Sequence, residues 1–153
     1  MNFYKDKNIL VTGHTGFKGT WLSSFLHELG AKVHGLSLPL QNSNYLGLHA
    51  CDIFSSTKYA DIRNLGEIST YINEVSPDLI FHLAAQPLVI DSYKDPLGTF
   101  NTNVMGTLNV LEAVKSVQSV KAIICITTDK VYLNNEWVYP YRESDALGGS
   151  DPY

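Results

Sequence analysis

Four polar residues follow an apolar run near the C-terminal end of the chain, and their types suggest acid–base chemistry. The run AIIC leads through Ile126 into Thr127, Thr128, Asp129 and Lys130. Two hydroxyls, a carboxylate and an ammonium at the end of one strand can hydrogen-bond a substrate oxygen and move protons at neighbouring atoms. The alternative is an ordinary strand terminus, in which threonine and aspartate cap a turn.

A second group of residues, TGHTGFKG, has the spacing of a phosphate-binding loop. Gly13, Gly16 and Gly19 lie three residues apart, between a predicted strand and a predicted helix. The first glycine permits a tight turn, the second lets the backbone approach a pyrophosphate, and the third allows close helix–strand packing. Backbone N–H groups at the helix N-terminus then hold the phosphates. A glycine-rich turn without a ligand is the alternative, but the flanking strand and amphipathic helix favour a dinucleotide site.

The residues alone leave the identity of the dinucleotide open. An acidic residue that binds the adenosine ribose is often found about twenty positions beyond the glycine loop. Ser37, Leu38 and Pro39 stand there instead, with no arginine in the acid's place. NAD and NADP therefore both remain possible at this point.

Alternating strands and helices must position these residues. Short apolar runs predict strands at 8–13, 32–36, 57–60, 78–84 and 121–127, the last of the fully buried type found in parallel sheets. Apolar spacing predicts three main helices, and a short helix is expected at 45–50. Their apolar faces are Trp21, Leu22, Phe25, Leu26 and Leu29 before a cap at Gly30; Leu65, Ile68, Ile72 and Val75 before Pro77; and a buried stripe of Phe100, Val104, Leu108 and Leu111.

This alternation predicts a single doubly wound α/β domain with a parallel sheet. Ligands bind such sheets beyond the carboxyl ends of the strands, where both polar groups described above would lie. In the usual strand order the fifth strand lies at an unpaired edge, and its apolar residues would invite aggregation unless another segment covered them.

Composition limits the partners. The chain has 153 residues, is 44% hydrophobic and carries a formal net charge of −4 without a basic run. We therefore expect a globular protein that binds small molecules rather than nucleic acid or membrane. Two cysteines and the absence of a signal-like or membrane-length apolar stretch predict a cytoplasmic location without disulfides. The five histidines show no metal-ligand spacing, so no metal is predicted and each is interpreted as a loop or packing residue.

The segments TGHTGFKG, FHLAAQPLV, NTNVMGTLNVLEA, TTDKVY and LGGSDPY together resemble the extended short-chain dehydrogenase/reductase family. Within it the likeness is greatest to nucleotide-sugar 4,6-dehydratases that act on CDP-glucose. The resemblance implies a Rossmann-like doubly wound sheet with NAD as cofactor. Residues 1–153 would form the NAD-binding domain, incomplete at its C-terminal end and without the last strands and the substrate-binding lobe.

The same resemblance implies roles for individual residues. Thr128 would hydrogen-bond the sugar C4 oxygen, Tyr153 would be the catalytic tyrosine, and Asp129 would be the general acid. Lys130 stands where related enzymes carry a glutamate base, although lysine must lose a proton to act as a base. The residues expected to bind the cofactor are Gly13, Gly16, Phe17, Lys18, Gly19, Asp61, Ile62, Ala84, Ala85, Gln86 and Thr127.

Several alternatives remain. Relatives place a lysine four residues after the catalytic tyrosine, beyond the last residue here, so we expect the chain alone to be inactive. It could instead be a non-catalytic NAD-binding or assembly module, another nucleotide-sugar epimerase or dehydratase, or a fragment of a longer polypeptide. The expected partners are a nucleotide sugar and, at full length, further copies of the chain. Trp137, Tyr139 and Tyr141 are interpreted as loop residues.

Overall fold

The computed structural model describes residues 3–39 and 52–153. The predicted helix at 45–50, together with His49 and Cys51, lies outside the described residues. A short 3-10 turn, Asp129–Val131, follows the last strand. The preceding elements are β1 (Asn8–Thr12), α1 (Phe17–Glu28), β2 (Lys32–Ser37), β3 (Phe54–Tyr59), α2 (Leu65–Val75), β4 (Leu79–His82), α3 (Val89–Lys94), α4 (Pro96–Phe100), a π-helix (Asn101–Gly106), α5 (Thr107–Val114) and β5 (Ala122–Cys125).

The five strands form one parallel sheet in the order β3-β2-β1-β4-β5. The order reverses between β1 and β4, so their carboxyl ends flank the crevice in which ligands of doubly wound sheets bind. The predicted Rossmann-like α/β fold is confirmed, and β5 lies at the edge of the described sheet as expected.

The central strand β1 supplies both halves of the core. Successive strand residues point to opposite faces of the sheet. Ile9 and Val11 therefore join one buried cluster with Leu26 of α1, while Leu10 joins the other with Ile68 of α2. All of these side chains are almost fully buried. The core thus fixes the strand ends from which the loops of the cleft emerge.

The predicted third strand was placed too late in the chain. It was expected at 57–60, whereas β3 runs from Phe54 to Tyr59. Pairing with β2, from Val33 opposite Phe54 to Ser37 opposite Tyr59, brings Ser55 and Ser56 into the strand. Tertiary pairing here outweighs the weak strand propensity of the serines.

The predicted buried stripe of the long helical segment was wrong. Phe100, Val104 and Leu108 are each more than half exposed, and Leu111 is 40% exposed. Other residues of the segment face inward instead. At Gly106 an added Cβ would lie 2.5 Å from Ile62 Cδ1, and Val110 is fully buried. The close approach to Ile62 requires glycine, which a search for large apolar residues overlooks.

Two other predictions of burial were also wrong. Strand β5 alternates between exposed and half-buried positions, and Ile124 and Ile126 are each 46% exposed, because the described helices cover one face of this edge strand. In α1, Leu26 is buried and Leu22 packs beside it, but Trp21 and Phe25 are mostly exposed.

Candidate active site

A cleft of about 640 Å³ opens at the carboxyl ends of β1, β2, β4 and β5. It joins the glycine loop to the end of β5, which are far apart in the sequence. Its walls are contributed by Gly13, Thr15, Gly16, Phe17, Lys18, Gly19, Ser37, Leu38, Ala60, Ile62, His82, Leu83, Ala84, Ala85, Pro87, Thr102, Asn103, Thr107, Cys125, Ile126, Thr127, Thr128 and Tyr153.

The glycine loop has the close backbone approaches that its spacing predicts. Gly13 has a φ of +73° and donates its N–H to the Leu36 carbonyl at 2.7 Å. A Cβ at Gly19 would lie only 2.1 Å from the Gly13 carbonyl oxygen. Gly16 is the N-cap of α1 and brings no side chain to the helix N-terminus. The exposed loop and the positive end of the helix dipole therefore form a surface suited to phosphates.

His14, between these glycines, has the packing role expected of it. Its ring is buried against Gly35, where an added Cβ would lie 2.6 Å away, and against the Phe54 ring at 4.9 Å between centroids. Burial lowers the pKa of His14 from its usual value, so the ring is neutral at pH 7.

The end of the cleft where the adenosine was expected carries hydroxyls in place of a carboxylate. Thr15 Oγ1 donates to Ser37 Oγ at 3.0 Å, and Ser37 donates to the Leu38 carbonyl at 2.9 Å. Ile62 lines the cleft as expected, but the predicted Asp61 does not. Its carboxylate pairs with Arg63 at 2.6 Å, and this hydrogen bond lowers the pKa of Asp61 below its usual value.

The turn after β4 forms the wall where the nicotinamide was expected. Ala84 and Ala85 line the cleft, whereas the predicted Gln86 does not. The Gln86 side chain turns away and donates to the Leu88 carbonyl and to Thr99 Oγ1. Its backbone N–H donates to Asn103 Oδ1 at 2.8 Å, so Gln86 contributes through the shape of the turn.

The residues after β5 divide between two cavities. Thr127, Thr128 and Tyr153 line the main cleft. Asp129 and Lys130 line a neighbouring cavity of about 310 Å³. Thr128 Oγ1 lies at the junction: it donates to Asp129 Oδ1 at 3.2 Å and accepts the Lys130 N–H at 3.2 Å.

Lys130 and Tyr153 are connected through Asp151. Lys130 Nζ lies 3.9 Å from Asp151 Oδ2, and the Asp151 side chain is only 8% exposed. Asp151 Oδ1 accepts the Tyr153 N–H at 3.0 Å. The lysine thus faces a buried carboxylate that also holds the backbone of the tyrosine.

The aromatic residues beyond β5 belong to an irregular loop, as expected. Trp137 stacks on Tyr139 at 5.2 Å between centroids, and Tyr132 stacks on Tyr141 at 5.3 Å. Tyr141 Oη accepts the Asn135 N–H and donates to Asn134, which fixes the loop beside the second cavity.

Two other kinds of site are absent from residues 3–39 and 52–153. These residues contain no group of three or more His, Cys, Asp or Glu side chains placed to bind a metal ion. None of the helices in the same ranges has the length and apolar character needed to cross a membrane.

Comparison with known families identifies the chain. The model of the GDP-mannose 4,6-dehydratase family matches residues 10–153. The chain belongs to this family. It is 48% identical to the CDP-glucose 4,6-dehydratase of Salmonella typhimurium strain LT2 over 99% of the chain, which is 43% of that protein. The predicted membership of the extended short-chain dehydrogenase/reductase family is thereby confirmed.

Solved structures agree with this family assignment. The chain matches the epimerase Mth375 of Methanothermobacter thermautotrophicus with a TM-score of 0.86 at 27% identity, covering 99% of this chain and 44% of that one. It also matches a UDP-glucose-4-epimerase of Stenotrophomonas maltophila, solved with bound NAD, with a TM-score of 0.83 at 25% identity over 96% of this chain and 44% of that one. This family member therefore spans less than half the length of these relatives.

Sequence reasoning missed several polar residues of the cleft in this family member. Thr15, Asn103 and Thr107 were not singled out, and His82 was assigned a loop or packing role. These residues come together only in the folded chain. Thr107 becomes a partner of His82 when the helix crosses the end of β4, which places Thr107 Oγ1 3.0 Å from His82 Nε2. The available clue for His82 was a polar residue within a predicted buried strand, close to its carboxyl end.

Proposed function

We propose that this chain is the NAD-binding portion of a nucleotide-sugar 4,6-dehydratase that acts on CDP-glucose. The observation that carries the proposal is the shared cleft: the Gly13–Gly16 turn and the Thr128 and Tyr153 side chains line one cavity. The 48% identity to a CDP-glucose 4,6-dehydratase supports the choice of reaction and of substrate.

The residues of the cleft fit a dinucleotide. Glycine at position 16 leaves room for a phosphate at the N-terminus of α1, and Lys18 adds a positive charge to the lining. Ile62 offers an apolar surface at the adenine end, and Ala84 and Ala85 leave space at the nicotinamide end. When bound, NAD supplies reversible hydride storage, taking hydride from C4 of the sugar and returning it at C6.

Thr128 and Tyr153 would act at C4 of the sugar. Both residues line the cleft, and the Thr128 hydroxyl, which donates to Asp129 Oδ1 in the structure, would turn its hydrogen to the C4 oxygen when the sugar binds. Tyr153, as the phenolate, would accept the proton that the C4 hydroxyl loses as it becomes a ketone. Asp151 would hold the tyrosine backbone during this step.

The residues beside them would assist the loss of water. The new ketone acidifies the C5 proton, and departure of the C6 hydroxyl then requires a base and an acid at adjacent carbons. Asp129 would protonate the departing hydroxyl, since Thr128 connects it to the main cleft. Lys130 would be the base at C5: its ammonium, 3.9 Å from Asp151 Oδ2, would first give up a proton to solvent and then take the C5 proton as a neutral amine.

The chain spans less than half the length of its relatives. We propose that residues 1–153 bind NAD but do not turn over CDP-glucose alone. A cytoplasmic location and self-association at full length are parts of the same proposal. The exposed side chains of Phe100, Val104 and Leu108 provide an apolar surface for such association.

An epimerase is the second candidate. The chain is 36% identical over 141 residues to a CDP-paratose 2-epimerase of Salmonella typhi, and the solved relatives named above are epimerases. Epimerisation conserves the mass of the sugar nucleotide, whereas dehydration removes one water. A non-catalytic NAD-binding module would bind the cofactor and leave the sugar unchanged.

Calorimetric titration of the purified chain with NAD tests the cofactor assignment. We expect saturable binding that Gly16→Val removes, because a branched side chain would occupy the space left for the phosphate. An absence of binding by the parent chain would contradict the proposal. Mass spectrometry of CDP-glucose incubated with the chain and NAD then separates the candidates: unchanged substrate is expected, while loss of water would disprove the proposed inactivity of the chain alone.

A further inference from the structure

His82 is buried at the end of β4 and is hydrogen-bonded through both ring nitrogens. Its Nδ1 lies 2.7 Å from Thr12 Oγ1 of β1, and its Nε2 lies 3.0 Å from Thr107 Oγ1 of α5. The side chain is 3% exposed, although the ring lies in the wall of the cleft. The histidine therefore joins the central strand to the helix behind the turn that follows β4.

The partners of Thr12 determine which ring nitrogen carries the proton. Thr12 Oγ1 accepts the N–H groups of Leu83 and Ala84, each at 3.1 Å, and the Leu83 N–H is shared with the Thr12 carbonyl at 3.2 Å. A hydroxyl has one hydrogen to donate and two lone pairs. With both lone pairs used, the Thr12 hydroxyl donates to His82 Nδ1. That nitrogen must be unprotonated, and the neutral ring carries its hydrogen on Nε2.

The hydrogen bonds beyond His82 then all point the same way, from Thr12 toward Asn103. His82 Nε2–H donates to Thr107 Oγ1, and the Thr107 hydroxyl donates to the Asn103 carbonyl at 2.7 Å. The opposite tautomer would give Thr12 three hydrogens to accept and would leave its own hydroxyl without an acceptor. A buried polar group left in that way is costly.

Both ends of the network reach the cleft wall. At one end, the Ala84 N–H held by Thr12 packs against Gly13, where an added Cβ would lie 2.8 Å from the Ala84 nitrogen. At the other end, Asn103 accepts the Gln86 N–H at 2.8 Å and donates to the Gln86 carbonyl at 3.1 Å. A shift of His82 would thus disturb the turn after β4, which packs closely against Gly13 of the glycine loop.

We infer that His82, held as the Nε2–H tautomer between Thr12 and Thr107, is a positioning residue that fixes the Leu83–Gln86 turn for cofactor binding. The inference rests on the proposed NAD site for its functional consequence. The tautomer and the hydrogen bonds of the turn can be measured without the cofactor.

The first test is ¹⁵N NMR of the histidine rings in the cofactor-free chain at neutral pH. His82→Gln assigns the signal. We expect a single fixed form, with hydrogen on Nε2 and none on Nδ1. A ring protonated on Nδ1, or one averaging between both forms, would overturn the inference whether or not NAD binds.

The second test compares Thr107→Val, which removes the acceptor of the Nε2–H while nearly preserving shape, with Thr107→Ser, which keeps the hydroxyl. We expect Thr107→Val to accelerate hydrogen exchange of the Leu83 and Ala84 amides and to weaken NAD binding about tenfold. Thr107→Ser should stay within about twofold of the parent in both measurements.

The outcomes separate the two proposals. Unchanged amide exchange in Thr107→Val would show that the network does not hold the turn, and so would refute the positioning role. Faster exchange with unchanged NAD affinity would refute the link to the cofactor. A parent chain that fails to bind NAD would refute the proposed function. The NMR and exchange results would still show whether the hydrogen bonds of His82 hold the turn.

Discussion

Replacing glycines of the phosphate loop by alanine should separate packing from ligand binding. A Cβ at Gly19 would lie 2.1 Å from the Gly13 carbonyl oxygen and 2.9 Å from His14 Cα. Both are backbone atoms, which cannot move aside as the end of a flexible side chain can. The shorter distance falls about 1.3 Å below the start of ordinary contact at 3.4 Å, so the loop or α1 must move.

The expected cost of Gly19→Ala follows from two opposing effects. Overpacking of this degree costs about 3 kcal/mol, while alanine stabilises a helix interior by about 1 kcal/mol relative to glycine. The free energy of unfolding should therefore fall by about 2 kcal/mol, which corresponds to a loss of about 4–8 °C in Tm for a chain of this size. NAD binding should be lost as the loop moves.

Two other glycines provide matched comparisons. At Gly16 the added Cβ would lie 3.3 Å from the Gly13 carbonyl oxygen, and the φ of −76° suits any residue. Gly16→Ala should cost less than about 1 kcal/mol in stability but weaken NAD binding about tenfold. Gly66→Ala, in the first turn of α2 with its nearest contact at 3.6 Å, should change neither property adversely.

Urea denaturation and calorimetric titration of the three variants would check these values. The decisive contrast is between Gly19→Ala and Gly16→Ala. If Gly19→Ala unfolded at the parent's urea concentration, the steric argument would be wrong. If Gly16→Ala bound NAD as tightly as the parent, the phosphate would not lie where we place it.

Three further predictions concern stability and surface. Burial lowers the pKa of His82 from 6.5 to about 4, so between these values the unfolded chain binds a proton that the folded chain does not. The contribution of His82 to the free energy of unfolding is therefore fully present above pH 6.5 and should fall by about 2 kcal/mol between pH 7 and pH 5. His82→Gln should remove this loss in urea titrations at the two pH values. Asn64 accepts the Glu67 N–H as N-cap of α2, so Asn64→Ala should cost about 1 kcal/mol in the same assay. Asn64→Ser, which keeps a capping oxygen without setting a second carboxylate beside Glu67, should cost less. Leu108→Lys should leave the thermal midpoint nearly unchanged and reduce light scattering at high protein concentration, because Leu108 is 52% exposed. A fall of about 2–5 kcal/mol in the free energy of unfolding would instead show that Leu108 is a core residue.

The sequence predicted the parts of the fold that depend on local pattern. The glycine loop, β1 and α2 were correctly placed, because glycine spacing, an apolar run and helical periodicity each act within a few residues. The edge position of β5 also followed, from the usual strand order of doubly wound sheets. These features require no knowledge of which surfaces meet.

Burial in the long helical segment depended on distant contacts and was predicted wrongly. Phe100 and Leu108 have the helical spacing of a core stripe, yet Gly106 and Val110 face inward, because the end of the π-helix approaches Ile62 closely. The hydrogen bonds of His82 likewise join residues 70 and 25 positions away. Such contacts leave no periodic signal in one sequence.

The π-helix at Asn101–Gly106 sets the rotation of everything that follows it in the same helical segment. An α-helix advances about 100° per residue, so a wider turn holding one extra residue turns the next stretch by about that angle. Removing a single residue from this turn would rotate Val110 out of the core and carry the Thr107 hydroxyl away from His82. A one-residue deletion here should therefore be far more damaging than one in a surface loop, and the length of this turn is as much a requirement of the cleft as its amino acids.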